Sequence, residues 1–288
     1  MEKVGFIVNM GKEFASEISV KVVAWLNKNN IEVFLNDEAA KVLGMPNRFV
    51  ELDEMCDQVD FILVLGGDGT LLRTARAVAD KNIPFIGINL GHLGFLTELE
   101  VEKLFDGLED LRKGNYRIEE RMMLAAYVKR DGKIIKSYHA LNDFVITKGA
   151  FARIIELEAY INEDYLSTYP ADGLIISSPT GSTAYSLSAG GPIISPELEV
   201  IIITPICPHT LYARPVVVSH KQEVRVKIVS DAVEIMLTLD GQEGLSLKKN
   251  DEVVVKKSQF KAKLIKLKNR SFYDILREKL KDGGGSRV

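Results

Sequence analysis

The sequence predicts an α/β domain built on a doubly wound, mostly parallel sheet, followed by an all-β, sandwich-like domain. Three observations carry this. Five apolar residues, Phe61-Ile62-Leu63-Val64-Leu65, run without a break into Gly66-Gly67-Asp68-Gly69-Thr70, as a buried parallel strand does when it ends in a tight turn. The first hundred or so residues alternate strand and helix patterns, the rhythm of βαβ units. Past about residue 115 the helical period gives way to closely spaced strand patterns.

Taken in order, residues 4–8 and 31–34 read as strands flanking a helix that carries Val20, Val22, Val23, Trp25 and Leu26. Residues 61–65 form the next strand. Leu71, Leu72, Ala75, Val78 and Ala79 recur at helical spacing, so the glycine turn opens a helix. A strand over 83–88 follows. Right-handed crossovers place ligands outside the carboxyl ends of such strands, where residues 66–70 and the loop 89–95 fall. In the second domain, strands over 122–129 and 133–138 flank Arg130-Asp131-Gly132, a hairpin signal. Further strands are expected at 154–161, 174–177, 200–204, 216–219, 224–229, 233–239 and 253–256. Residues 272–280 form an amphipathic helix, and the tail 282–288 is expected to be disordered.

Composition narrows the function. The chain has 288 residues, a hydrophobic content of 46% and a net charge of -3. That balance disfavours a general nucleic-acid binder. Nine basic residues between 248 and 270 resemble a basic patch, but Lys261, Lys263, Lys266 and Lys268 interleave with apolar residues. A solvated strand face explains them better than RNA. Cys56 and Cys207 form no C-x-x-C pair and read as buried thiols. His92, His139, His209 and His220 show no ligand spacing, so no metal site is expected. With no signal-peptide pattern and no apolar stretch near 18 residues, the expectation is a cytoplasmic protein without a membrane partner.

The turn at 66–70 carries the chemistry. Glycines let backbone approach a phosphate, and a helix N-terminus favours its charge. Asp68 would be repelled by that phosphate, so a turn that only bound it would do better without the carboxylate. A catalytic, phosphate-handling turn is the stronger interpretation, and a tight structural turn the weaker one.

Gly66-Gly67-Asp68-Gly69-Thr70 resembles the signature of NAD kinases and of their relatives among lipid kinases and phosphofructokinases. Residues 171–191, Ala-Asp-Gly-Leu-Ile-Ile-Ser-Ser-Pro-Thr-Gly-Ser-Thr-Ala-Tyr-Ser-Leu-Ser-Ala-Gly-Gly, resemble the glycine-rich region of bacterial NAD kinases along their whole length. Leu90-Gly91-His92-Leu93-Gly94-Phe95-Leu96-Thr97, Leu141-Asn142-Asp143, Pro208-His209-Thr210-Leu211 and Asp240-Gly241-Gln242 match in the family's order. The resemblance covers roughly residues 1–275. Eleven of residues 171–191 are Gly, Ser or Thr, a donor density that suits ribose, phosphate and amide groups. A helix is expected to begin near 183, capped by Ser182 or Thr183; the alternative is a serine-rich surface loop.

The resemblance implies transfer of the γ-phosphoryl group of ATP to the adenosine 2′-hydroxyl of NAD, giving NADP. Asp68 resembles the family's proton acceptor. Gly66, Gly67, Gly69, Thr70 and Phe95 would line the substrates. Asn142 and Asp143 match a dinucleotide-binding pair, and Asp172 should face the nicotinamide. Ser182, Thr183, Ala184, Tyr185 and Ser188 should hold the adenosine, with Gln242 and Arg153 adding contacts. Arg73, one turn into the helix, could reach a phosphate or lie on a solvated face. The reaction implies Mg²⁺ on the triphosphate. The family forms homodimers and homotetramers, and its closing helix, here 271–281, returns to the N-terminal domain. Domains of 1–98 and 99–270 are therefore expected. The family often has a polar or basic residue two positions before Asp172, where this chain has Pro170. Two alternatives share the turn: a diacylglycerol-type lipid kinase, and a non-catalytic NADP-binding regulator, which would gain nothing from Asp68.

Overall fold

The structure, a computed structural model, describes residues 2–11, 14–91, 94–149, 153–231, 234–267 and 271–282. They fall into two compact units, one from the described residues of 1–120 and 262–288, the other 121–261.

In the first unit the chain runs β1 (Lys3–Val8), α1 (Ala15–Lys28), β2 (Glu32–Leu35), α2 (Asp37–Val42), α3 (Leu52–Gln58), β3 (Phe61–Leu65), α4 (Asp68–Ala77), β4 (Phe85–Asn89), β5 (Leu99–Glu100) and α5 (Leu104–Lys113). The strand order β2-β1-β3-β4 is parallel throughout. Every residue of β3 is buried, which explains its unbroken apolar run. Val4, Phe6 and Val8 share one core with Ile18, Val22 and Leu26 of α1 and Leu104, Leu108 and Leu111 of α5. On the opposite face, Gly5 lies against Met55 of α3 and Gly87 against Leu71 of α4. Helices therefore cover both faces, as a doubly wound sheet requires. Val20 points to solvent, because positions 18, 22 and 26 set the inward stripe of α1.

β6 (Arg117–Arg130) leads into the second unit. There follow β7 (Lys133–Ala140), β8 (Asp143–Lys148), β9 (Ile155–Ile161), β10 (Asp164–Ala171), β11 (Gly173–Ser177), α6 (Tyr185–Ser188), β12 (Val200–Ile206), β13 (Val216–Ser219), β14 (Val224–Ile228), β15 (Ile235–Leu239), β16 (Glu243–Leu247) and β17 (Glu252–Lys266). The antiparallel sheet β13-β12-β11-β8-β15-β16 faces strands β6, β9, β14 and β17. Leu124, Phe144, Leu157, Leu174, Ile201, Val226, Leu237 and Val253 form the core between them, so the unit is a sandwich. Asp131 and Gly132 both take positive φ, 51 and 75, in the tight turn between β6 and β7 that their sequence predicts. α7 (Phe272–Asp282) ends the described chain in the first unit.

Several expectations change. The units change over at 120/121 and 261/262 rather than 98/99 and 270/271. α5 packs into the first core, and the end of β17 pairs with β4 at Leu264–Phe85. β8, β10 and β16 are additional strands, and β17 continues to Lys266. Lys266 is not solvated: it is buried and pairs with Glu98 at 2.8 Å. Lys268 and residues 283–288 of the expected tail lie outside the described residues. Residues 180–183 form a 3-10 turn, and α6 starts at Tyr185 without a side-chain cap. Ser182 is no cap because its hydroxyl bonds the backbone of Ile194, and the Thr183 hydroxyl donates to the Thr180 carbonyl. Both cysteines are free, but only Cys56 is buried; Cys207 follows β12 with φ 44 on an exposed loop. Among the described residues no helix is long and apolar enough to cross a membrane.

Candidate functional site

The chain leaves β1 for β2 on one side and returns to β3 on the other, so the sheet of the first unit reverses its order between β1 and β3. The carboxyl ends at such a switch point frame a ligand crevice. Asn9, after β1, donates its backbone N–H to Leu65 O at 3.0 Å and its side-chain amide to Thr70 Oγ1 at 3.2 Å. Gly66, after β3, donates to Ile88 O, and a Cβ there would collide with Thr70. Gly67 is the N-cap of α4, with open space around it and no side-chain cap. Gly69 and Arg73 are exposed, and Thr70 is buried.

Asp68 is the first residue of α4. Its Oδ2 accepts the N–H of Phe95 at 2.8 Å, and its Oδ1 accepts those of Leu96 and Thr97, each at 3.2 Å. The loop after β4 is thus fastened to the start of α4 by one carboxylate. Phe95 itself is half-buried; His92 and Leu93 of the same motif lie outside the described residues.

The second unit uses the same device. Asp240 sits in the β15–β16 turn with φ 48. Its Oδ1 accepts the N–H groups of Asn142 (2.8 Å) and Asp143 (3.2 Å), and its Oδ2 that of Leu141 (3.2 Å). The Asn142 carbonyl receives the N–H of Ser178 at 2.8 Å, and a Cβ on Gly181 would overlap that carbonyl. The Asn142 side-chain amide therefore stands on a segment fixed from two sides. The Asp143 carboxyl is buried and pushed up to about 7, mainly by burial and then by the Asp240 charge.

The glycine-rich segment splits into two classes. Ser177, Ser178, Ser182 and Ser186 are buried and hydrogen-bonded within the unit. Thr183 and Ala184 are half-buried, while Tyr185 and Ser188 are exposed. Asp172 is partly exposed and pairs with Lys148 at 2.8 Å. Arg153 and Gln242 are exposed, the latter on the β15–β16 turn. Sequence reasoning does not single out Asn9, Thr97, Lys148 or Asp240 for the site. Thr97 and Asp240 lie within matched motifs, and the place of Asn9 at the end of β1 is the signal that could find it. Among the described residues, no three His, Cys, Asp or Glu side chains gather as a metal cage requires.

A glycine turn that carries a carboxylate into a helix at the switch point of a parallel sheet is the equipment of a phosphotransferase. Residues 4–116 match the ATP-NAD kinase N-terminal domain and residues 141–267 the ATP-NAD kinase C-terminal domain. The NAD kinase of Moorella thermoacetica is 51% identical over 284 residues, covering 99% of this chain and 91% of that protein. That of Natranaerobius thermophilus is 50% identical over 283 residues, covering 98% and 99%. Among solved structures, yeast NADH kinase complexed with NADH has a TM-score of 0.88 at 26% identity, covering 100% of this chain and 89% of that one. The chain belongs to the ATP-NAD kinase family, and its activity is the phosphorylation of NAD to NADP. The lipid-kinase and non-catalytic alternatives are not favoured.

Proposed function

We propose that Asp68 accepts the proton of the adenosine 2′-hydroxyl while that oxygen attacks the γ-phosphorus of ATP. The new phosphorus–oxygen bond forms as the bond to the β–γ bridging oxygen breaks, and ADP leaves. The observation that carries this is that the Asp68 carboxylate, at the N-terminus of α4, is bound by three backbone N–H groups of the loop after β4, those of Phe95, Leu96 and Thr97. A carboxylate offers about four acceptor positions, so a position is left for a hydroxyl. Phosphoryl transfer needs positioning and charge stabilisation more than covalent help. Gly66, Gly67, Gly69 and Thr70 would bring backbone to the phosphates, and Arg73 is exposed one turn further on.

Asn142, Asp143, Thr183, Ala184, Tyr185 and Ser188 would hold the dinucleotide, with Phe95, Arg153, Ser182 and Gln242 at its margins and Asp172 toward the nicotinamide. Ser182 would act through the backbone it fastens. Mg²⁺ would arrive with ATP and would supply charge stabilisation for the triphosphate. A homodimer or homotetramer in the cytoplasm completes the proposal, with NAD and ATP as substrates.

The test is Asp68→Asn, assayed for NADP formation from NAD, ATP and Mg²⁺. Loss of a proton acceptor costs about 10²–10⁴-fold in rate, with NAD binding retained in calorimetry. Turnover within about threefold of wild type would exclude Asp68 from the role.

A further inference from the structure

We infer that Thr97 and Gly94 are positioning residues that determine which oxygen of Asp68 receives the proton, an inference that rests on Asp68 being the acceptor. Asp68 Oδ1 accepts two N–H groups, from Leu96 and Thr97, whereas Oδ2 accepts one, from Phe95. Each carboxylate oxygen has room for about two donors. Oδ1 is therefore filled and Oδ2 keeps one position, which makes Oδ2 the atom that meets the ribose hydroxyl.

The three donors are consecutive amides, so their directions depend on the backbone course from Gly94 to Thr97. Two residues set that course. Thr97 is fully buried, and its hydroxyl accepts the Gly94 N–H at 2.8 Å, closing the loop on itself. Gly94 lies against the carboxylate, and a Cβ there would overlap both Asp68 oxygens. A carboxylate otherwise turns freely about its last side-chain torsion, whose wells are broad. Here the loop holds it in one orientation before substrate arrives, which is the condition for a near-attack geometry. Thr97 touches no reacting atom and acts through Asp68.

The experiment measures steady-state NADP formation, with calorimetric NAD binding and thermal unfolding alongside, in Thr97→Val, Thr97→Ser, Gly94→Ala, Asp68→Ala and the Asp68→Ala/Thr97→Val double variant. Thr97→Val, which keeps the shape and removes the acceptor, should lower kcat by about 10-fold or more with KM for NAD within roughly twofold. Thr97→Ser, which keeps the hydroxyl, should recover most of that loss. Gly94→Ala pushes directly on the carboxylate and should lose at least as much kcat; it also serves if the valine variant does not fold. In the Asp68→Ala background, Thr97→Val should leave the residual rate unchanged to within about twofold, because there is no carboxylate left to orient. A kcat for Thr97→Val within twofold of wild type would overturn the inference, as would an equal loss in both backgrounds, the mark of a residue needed only for folding. Failure of the underlying assignment looks different: Asp68→Ala itself would keep turnover within about threefold of wild type.

Discussion

Asp172 and Lys148 meet at 2.8 Å with their side chains about one-third and one-quarter exposed, and this alters what the Asp172 carboxylate can do. An isolated carboxylate beside the nicotinamide would favour the oxidised, cationic ring over the reduced, neutral one. Lys148 offsets that charge, and Pro170 adds neither charge nor backbone donor. With Asp172 placed toward the nicotinamide as proposed, that side of the pocket is close to neutral, and NADH should be tolerated. Lys148→Met should move the ratio of kcat/KM for NAD over NADH toward NAD. A unit charge about 8 Å away in a half-solvated site is worth roughly 0.5–2 kcal/mol, or about 2–30-fold. A ratio that does not move in Lys148→Met but moves in Asp172→Asn would remove Lys148 as the counter-charge. Asn142 gives a second prediction at this scale. Its side-chain amide has no hydrogen-bond partner among the described residues, while its backbone is held by Asp240 and Ser178. Asn142→Ala should weaken NAD binding several-fold to tenfold, about 0.5–1.5 kcal/mol, with little change in Tm. Calorimetry that returns the wild-type affinity would exclude Asn142 from the site.

The loop 141–143 is held by Asp240 across nearly a hundred residues of sequence, and its stability carries a pH signature. Asp143 titrates at about 7 in the fold against an ordinary 3.8, through burial first and Asp240 second. The folded state thus binds a proton that the unfolded chain has lost, so stability falls as pH rises from about 4 through 7. Asp143→Asn removes the charge that costs stability, and its advantage over wild type should grow by about 2–3 kcal/mol between pH 5 and pH 8. Urea denaturation of both proteins at the two pH values checks this, and a constant difference would show that Asp143 does not titrate there. Elements like this loop also show where the sequence is legible. β3 and α4 can be read because burial on both faces demands an unbroken apolar run and the glycines end it. β10 and β16 cannot, because both are sheet edges. β10, Asp-Tyr-Leu-Ser-Thr-Tyr-Pro-Ala, carries polar residues and Pro170 that only an edge accepts. The serines of 171–191 resemble ligand donors because composition does not separate a hydroxyl facing a ligand from one bonded inside the fold. Asp68 is legible because it violates the local rule for an anion cradle. The roles of Asp240, Lys148 and Thr97 are not, since each takes its importance from a partner that only the fold brings near.

At the scale of the whole molecule, both ends of the chain build the first unit, which is complete only when residues 262–282 return to it. Among the described residues, Ile265 and Leu267 join the apolar core of the first unit, and a backbone pairing and a charge pair add to that packing. Leu264 pairs with Phe85 of β4, and Glu98 accepts both the Lys266 ammonium at 2.8 Å and the Leu267 N–H at 3.0 Å. Lys266 and Glu98 are 6% and 11% exposed, so neither charge is well solvated if its partner is removed. Removing one member of such a pair costs about 3–5 kcal/mol, mainly by stranding the other charge, whereas replacing both is often close to neutral. Lys266→Met should therefore lower Tm by roughly 6–20 °C, at about 2–4 °C per kcal/mol for a chain of this size. Lys266→Met combined with Glu98→Gln should recover much of that loss, provided the introduced amide oxygen still accepts the Leu267 N–H. Thermal unfolding of wild type, the single variant and the double variant decides the matter. A Lys266→Met shift below about 2 °C would mean that the pair is hydrated and that core packing with the β17–β4 pairing secures the return without it.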